Sequence, residues 1–148
     1  DFLWFPEVFF ISFGVALWIA AFDINYALMD VDVDREQGIR SFPASHGRLA
    51  TNYLSIALTI GWLVCFLMSG LHGFGESRPF RVTLWIPTVI VLAVLNIYVM
   101  SRESGSSIDS EDGMARYQKI LFYSSMVTGW CLLACLSYVE ELGEGMLG

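Results

Sequence analysis

Residues 8–47 read VFFISFGVALWIAAFDINYALMDVDVDREQGIRSFPASHG, an uncharged apolar run that passes directly into an acidic one. The apolar part, Val8 to Phe22, is extended backward past Glu7 by Phe2 to Phe5, and Asp23 to Asp34 carry the same helical phase forward. The reading is one long helix whose end leaves a membrane bearing carboxylates. On a helix turning about 100° per residue, Asp23, Tyr26, Asp30 and Asp34 fall within an arc of roughly 80°, while Asp32 points the opposite way. Three carboxylates crowded on one face repel, so the arrangement is costly unless a cation lies between them, and a divalent metal is the natural remedy.

The rest of the chain supplies the membrane. Of its 148 residues 55% are hydrophobic and only 16% charged, and the mean hydropathy is +0.58. A water-soluble domain of this size carries more charge. Three further segments, Leu49 to Leu71, Val82 to Ser101 and Ile120 to Val139, contain no charged residue. Each approaches or exceeds the roughly 20 helical residues needed to cross a hydrocarbon core of about 30 Å. The expected fold is an all-α integral membrane bundle of four transmembrane helices, a single domain over residues 1–148.

Basic residues orient it. Arg35, Arg40 and Arg48 follow the first span and Arg102, Arg116 and Lys119 the third, whereas only Arg78 and Arg81 follow the second. The positive-inside tendency places the first and third loops, and the acidic helix end, in the cytoplasm of a bacterial inner membrane or an organelle equivalent. Much of the net charge of −7 lies in Asp30 to Glu36, Glu103 to Asp112 and Glu140 to Glu144, so it does not point to a basic partner, and nucleic acid is not an expected ligand. In the first loop Gly38, Pro43 and Gly47 punctuate the chain, and helix does not run easily through Ser41-Phe42-Pro43, so Arg35 and Arg40 are expected to fold back over the carboxylate face as a lid. Residues 71–81 read as a plain connection, residues 101–113 as a polar mobile loop, and Met114 to Lys119 as an interfacial segment ahead of the last helix.

Other polar residues have plainer readings. Asp32 and Glu36 are solvated, His46 is a loop residue, and His72 lies on the far side. Cys65, Cys131 and Cys135 are small packing residues, the latter two on a shared helical face. Asn96 and Pro87 read as a packed amide and a kink, and Ala57-x-x-x-Gly61 as a close helix approach.

Magnesium takes near-octahedral oxygen coordination and is commonly held by one or two carboxylates together with substrate phosphates, so Asp30 and Asp34 suit a metal-bridged diphosphate whose outer oxygens Arg35 and Arg40 could meet. A site of this kind at a membrane edge fits a molecule with a charged head and a greasy tail, such as an isoprenoid diphosphate.

The same residues carry a resemblance. Asp23-x-x-Tyr26, Asp30-x-x-x-Asp34-Arg35, Gly38-x-Arg40-Ser41 and the following Pro43 and Gly47 resemble the second aspartate-rich motif of the UbiA family of intramembrane prenyltransferases, most closely its 4-hydroxybenzoate polyprenyltransferase branch. The similarity is specific within residues 22–47 and generic elsewhere. It implies a helical bundle around a central cavity, with two aspartate motifs facing each other across its cytoplasmic mouth and Mg2+ ions binding an allylic diphosphate. On this basis Asp30 and Asp34 are the metal ligands of the second motif, within a cap region at residues 23–47; Arg35 and Arg40 bind diphosphate; Tyr26 and Asp23 line the pocket where the allylic cation meets the acceptor ring. The implied reaction is Mg2+-dependent transfer of a polyprenyl group to an aromatic acceptor such as 4-hydroxybenzoate in ubiquinone biosynthesis. Naphthoate, haem, chlorophyllide or lipid glycerol are the acceptors of related branches. The family's first motif, N-D-x-x-D-x-x-x-D, does not occur in the chain, and four spans are about half the family's complement. The resemblance therefore makes this the C-terminal half of a longer enzyme, incomplete without its missing N-terminal half. A cation transporter and a non-catalytic membrane subunit stay open as alternatives, although a transporter would carry carboxylates deep in several spans.

Single cysteines placed at Ser45 and at Ser77, in a background with the three native cysteines replaced, are expected to react with a membrane-impermeant maleimide from opposite sides, Ser45 from the cytoplasm. Labelling of both from one side overturns the orientation.

Overall fold

The computed structural model describes residues 5–73, 79–106 and 111–145. Helices α1 (Pro6–Tyr26), α2 (Val31–Gln37), α3 (Phe42–Gly73), α4 (Pro79–Ser106) and α5 (Glu111–Gly145) make up the fold, with a 3-10 turn, Ala27–Asp30, between α1 and α2. No strand occurs among the described residues. Four stretches are long and apolar enough to cross a membrane: Val8–Gln37, Phe42–His72, Thr83–Ser101 and Asp112–Ser137. The protein is an all-helical integral membrane protein, as expected.

Helix α1 packs along α3, α3 on α4, α4 on α5, and α5 returns to touch α1 more lightly, closing the ring. Close approach rests on glycines. A Cβ on Gly14 would stand 2.7 Å from a ring carbon of Phe66, and one on Gly70 would stand 2.5 Å from Cδ1 of Trp85. Gly61 meets Leu17, so it serves the approach expected of it, whereas Ala57 is exposed. The room at Gly70 lets Trp85 lie flush on α3 and donate its indole N–H to the Phe66 carbonyl at 2.7 Å. Trp62, Phe66, Trp85, Val89, Leu92 and Leu132 complete this core around Cys135.

Polar and apolar residues are distributed inside out relative to a soluble protein. Phe9, Phe13, Ile60, Val64, Val91 and Val94 are exposed, while Asn25, Thr51, Ser55, Thr59, Asn96 and Thr128 are buried. Lipid accepts the first group without penalty, and the second must find partners within the protein. Asn96 does, donating to the Leu92 carbonyl and to Thr128 Oγ1, both at 2.8 Å, so the packed-amide reading holds. Cys65 and Cys135 are buried and Cys131, one turn before Cys135 on α5, is exposed.

Two boundaries also differ from expectation. Helix α4 runs on to Ser106 and α5 starts at Glu111, so Met114 to Lys119 belong to the first turns of α5 rather than to a separate interfacial segment. What remains of the two expected loops, residues 74–78 and 107–110, lies outside the described residues, as do the side chains of Arg78, Arg81 and Arg102. Hydropathy marks the part of a helix that prefers lipid; backbone hydrogen bonding continues past it into water.

The long first helix is interrupted. After Tyr26 the chain tightens into the 3-10 turn, and Asp30 takes φ −100° and ψ 8° before α2 resumes. A 3-10 turn advances about 120° per residue against about 100° in an α-helix, so the segment rotates α2 by roughly 80° relative to a straight continuation. Helix α2 ends at Gly38 in the left-handed region (φ 70°), where Ile39 N–H bonds the Asp34 carbonyl at 2.8 Å. Pro43, expected to exclude helix, instead begins one: the helix starts at Phe42, where proline's missing N–H costs nothing. Helix α3 is then broken at Gly47, whose φ 80° and ψ 173° belong to a region open essentially to glycine alone.

Gly47→Ala is accordingly expected to cost about 1–3 kcal/mol, read as a lower melting temperature of the detergent-solubilised protein. A variant melting with the parent would show that the break is not held as described.

Candidate functional site

The acidic helix end gathers its residues differently from a straight helix. Asp23 is exposed on α1, above the 3-10 turn; Asp30 is exposed at the end of that turn; Asp34 is half-buried on α2. Among the described residues no three His, Cys, Asp or Glu side chains converge on a common point where they could hold a metal ion. The expected three-carboxylate face is thus not assembled, because the added rotation separates Asp23 from the pair below it. Asp30 ends the 3-10 turn as the N-cap of α2, and Asp34 follows four residues later on α2. Two carboxylates supply an oxygen-only donor set, which suits a hard divalent cation that completes its shell with phosphate oxygens and water. The donor chemistry fits magnesium, with Asp30 and Asp34 as the two expected ligands.

The opposite flank of α2 has its own concavity. A pocket of about 420 Å³ lies between the 3-10 turn, α2, the start of α3 and Met114, and is lined by Asp32, Arg35 and Arg48 among apolar neighbours. Asp32, read as solvated, is exposed and lines this pocket. Arg35 is also here and not over Asp30 and Asp34: its Nε–H donates to the Ala44 carbonyl at 3.4 Å, tying α2 to the first turn of α3. Arg40 is exposed in the short link between those helices. At this end of the bundle α2 is docked on α3, with Arg35 as a tie between them.

A second region adjoins the acidic end. Where α5 returns to α1, the contact is slight enough to leave a cleft. Its upper part, about 270 Å³, is lined by Tyr26, Ala115, Gln118, Lys119, Phe122 and Tyr123. Its lower part, about 410 Å³, is lined by Trp18, Phe22, Phe122, Ser125, Met126, Gly129, Trp130 and Leu133. Phe122 lines both, so the two parts adjoin at its ring. A Cβ on Gly129 would approach Trp18 Cη2 at 3.0 Å, so this glycine is what lets α5 pass the indole. Trp130 is 65% exposed. The cleft is graded: phenol, amide and ammonium at the mouth, aromatic and aliphatic carbon at depth.

Of the sequence-derived site residues, Tyr26 reaches the cleft mouth and is held there by the Gln118 side-chain amide, which donates to its hydroxyl. Phe22 and Tyr26 pack with ring centroids 5.6 Å apart. The α5 contributors, Gln118, Lys119, Phe122, Gly129 and Trp130, were not legible as a group, since nothing in the spacing of α5 says which of its faces meets α1. His46 is exposed and stacks on Phe42, in keeping with a local role.

Neutral substitution at Gly129 is informative. Gly129→Leu is expected to fill the lower cleft and to displace a hydrophobic fluorescent probe bound there, while Ala134→Leu, on an exposed face of the same helix, leaves probe binding unchanged; equal probe binding in all three proteins would show that the cleft does not admit ligands.

A family model described as the UbiA prenyltransferase family matches residues 3–126. Comparison with curated proteins and with solved structures returns no match.

Proposed function

The chain belongs to the UbiA prenyltransferase family, and from that premise we propose that it transfers a polyprenyl group from an isoprenoid diphosphate to an aromatic acceptor, 4-hydroxybenzoate or a close analogue in quinone biosynthesis, with Mg2+ as cofactor and with the remaining half of the enzyme supplying the opposing motif. The observation that carries the proposal is the graded α1–α5 cleft beside the paired carboxylates. A diphosphate head needs cation and oxygen ligands at the membrane edge; a prenyl tail needs an apolar slot that descends from there. The chain offers both within one helix of each other.

Asp30 and Asp34 would hold the metal side of the donor's head, and Arg40, exposed on the link between α2 and α3, would neutralise it from the solvent side, while Arg35, near the end of α2, would reach its outer oxygens by leaving the Ala44 carbonyl. Magnesium, when bound, lowers the barrier by countering charge that develops on the leaving diphosphate. The allylic carbon–oxygen bond breaks with its electron pair departing on diphosphate. A ring carbon of the acceptor then forms the new carbon–carbon bond and loses its proton, restoring aromaticity. Tyr26 stands at the cleft mouth, where the face of its ring stabilises positive charge on an allylic fragment. Asp23, exposed one turn away, is assigned the acceptor side, holding the acceptor or taking up the ring proton.

In membranes containing the full-length enzyme, Asp30→Asn and Asp34→Asn are each expected to lower Mg2+-dependent transfer by about 100-fold or more, the loss typical of removing a charge-stabilising group. Asp32→Asn, on the opposite flank of α2, is expected to keep most of the activity. Full turnover in both of the first two variants sinks the assignment.

A further inference from the structure

Three buried side chains outside the motif's acidic residues meet at the end of α1. Asn25 is 0% exposed, and so are Ser55 on α3 and Tyr117 on α5. The Asn25 amide donates to the Ala21 carbonyl at 2.7 Å and to Ser55 Oγ at 2.6 Å. Its carbonyl oxygen accepts from the Tyr117 hydroxyl at 3.1 Å. One amide thus joins three helices. The next residue, Tyr26, accepts from Gln118, the neighbour of Tyr117. Two successive residues of α1 are clamped by two successive residues of α5, immediately before the chain leaves α-helical geometry at Ala27.

The chain of bonds continues up α3. Ser55 Oγ–H donates to the Thr51 carbonyl at 2.8 Å, and Thr51 Oγ1–H donates to the Gly47 carbonyl at 2.9 Å. The network ends at the break in α3, opposite the turn to which α2 is tied. The two backbone irregularities at this end of the bundle are thereby coupled through Asn25.

We propose that Asn25 is a positioning residue: held by Ser55 and Tyr117, it sets the rotation at which α1 delivers Asp30 and Asp34 to the membrane edge. This rests on the prenyl-transfer reading for its catalytic consequence, though not for its geometry. Packing alone does not call for an amide here, since leucine fills a comparable volume between apolar helices. What the amide adds is direction. Because all three side chains are fully buried, any other rotation of α1 strands the Asn25 donors and acceptor together with the Tyr117 hydroxyl, and each stranded group is costly. A single rotation satisfies all of them. The 3-10 turn then adds its increment, and the carboxylates emerge at a defined azimuth.

The test uses the full-length enzyme in membranes with Asn25→Leu, Tyr117→Phe and Ser55→Ala, the last two removing one hydroxyl each with little change of shape. Asn96→Leu serves as control, because it deletes an equally buried interhelical bond remote from the acidic end. Expected for the three network variants is an Mg2+ requirement raised by about threefold to tenfold per bond lost, with kcat lowered at saturating donor. Expected for the control is an unchanged Mg2+ requirement in the folded fraction. A second measurement needs no activity: nitroxides at Val33 and Ala115, both exposed, should give a narrow distance distribution in the parent and a broadened or shifted one in Asn25→Leu. Unchanged Mg2+ requirement and kcat in the network variants, or an unchanged distance distribution, overturns the proposal. A parent without Mg2+-dependent transfer instead removes the prenyl-transfer reading, and the distance measurement then decides the positioning role alone.

Discussion

A bilayer core contains no water with which to hydrogen-bond, and this single deprivation organises the molecule. It compels the backbone into helices, sends phenylalanine, valine and isoleucine outward to lipid, and turns every buried amide and hydroxyl into a constraint on how helices meet. Thr51, Ser55 and Thr59 recur every fourth residue on α3 and all three are fully buried. Each returns its hydroxyl proton to a carbonyl one turn earlier. Such a stripe satisfies itself along its own helix while leaving lone pairs for a neighbour, and Asn25 is the neighbour that uses one. Association between transmembrane helices has little hydrophobic drive, so small residues such as Gly14 and Gly70 and bonds of this kind carry the packing.

The functional region follows from an imbalance in that packing. Helix α1 is pressed against α3 along its length, but meets α5 only through a few residues, and the gap between them is the cleft. Its mouth lies at the same end of the bundle as the 3-10 turn because α5 begins where α1 finishes. A polar mouth at the interface above an apolar interior reproduces, in protein, the polarity gradient of an amphiphile. Family membership gives such a cleft a natural occupant. The acidic end, by contrast, presents Asp30 and Asp34 with no group of three His, Cys, Asp or Glu that could hold a metal among the described residues.

Residues 22–47 illustrate how far spacing carries. The periodicity offered Asp30 and Asp34 as partners, and the two lie four residues apart across the junction where the 3-10 turn passes into α2. It failed for Asp23, because the turn between Tyr26 and Asp30 changes the angular increment per residue and the residue types there, Ala-Leu-Met, are ordinary helix formers that give no sign of it. Arg35 was expected above the carboxylates and instead ties α2 to α3, since the docking of that short helix depends on Pro43 beginning a helix and on Gly47 breaking it. Asp32 was set aside for pointing away from the acidic face, and it does point away, into a pocket that exists only once α3 has folded alongside.

Composition and hydropathy alone determined that this chain lives in a membrane, as helices, with four crossings and an acidic end, because transfer into lipid is a property of side chains summed over a segment and needs no partner. The motif within residues 22–47 determined the family resemblance, since it is carried by residue identity in order. Which faces of those helices meet, where the cleft opens, and how Asn25, Ser55 and Tyr117 come to share one set of hydrogen bonds were decided by tertiary structure. Those outcomes depend on contacts between residues far apart in the chain, where two rotations of a helix differ only in whether a buried polar group finds its partner.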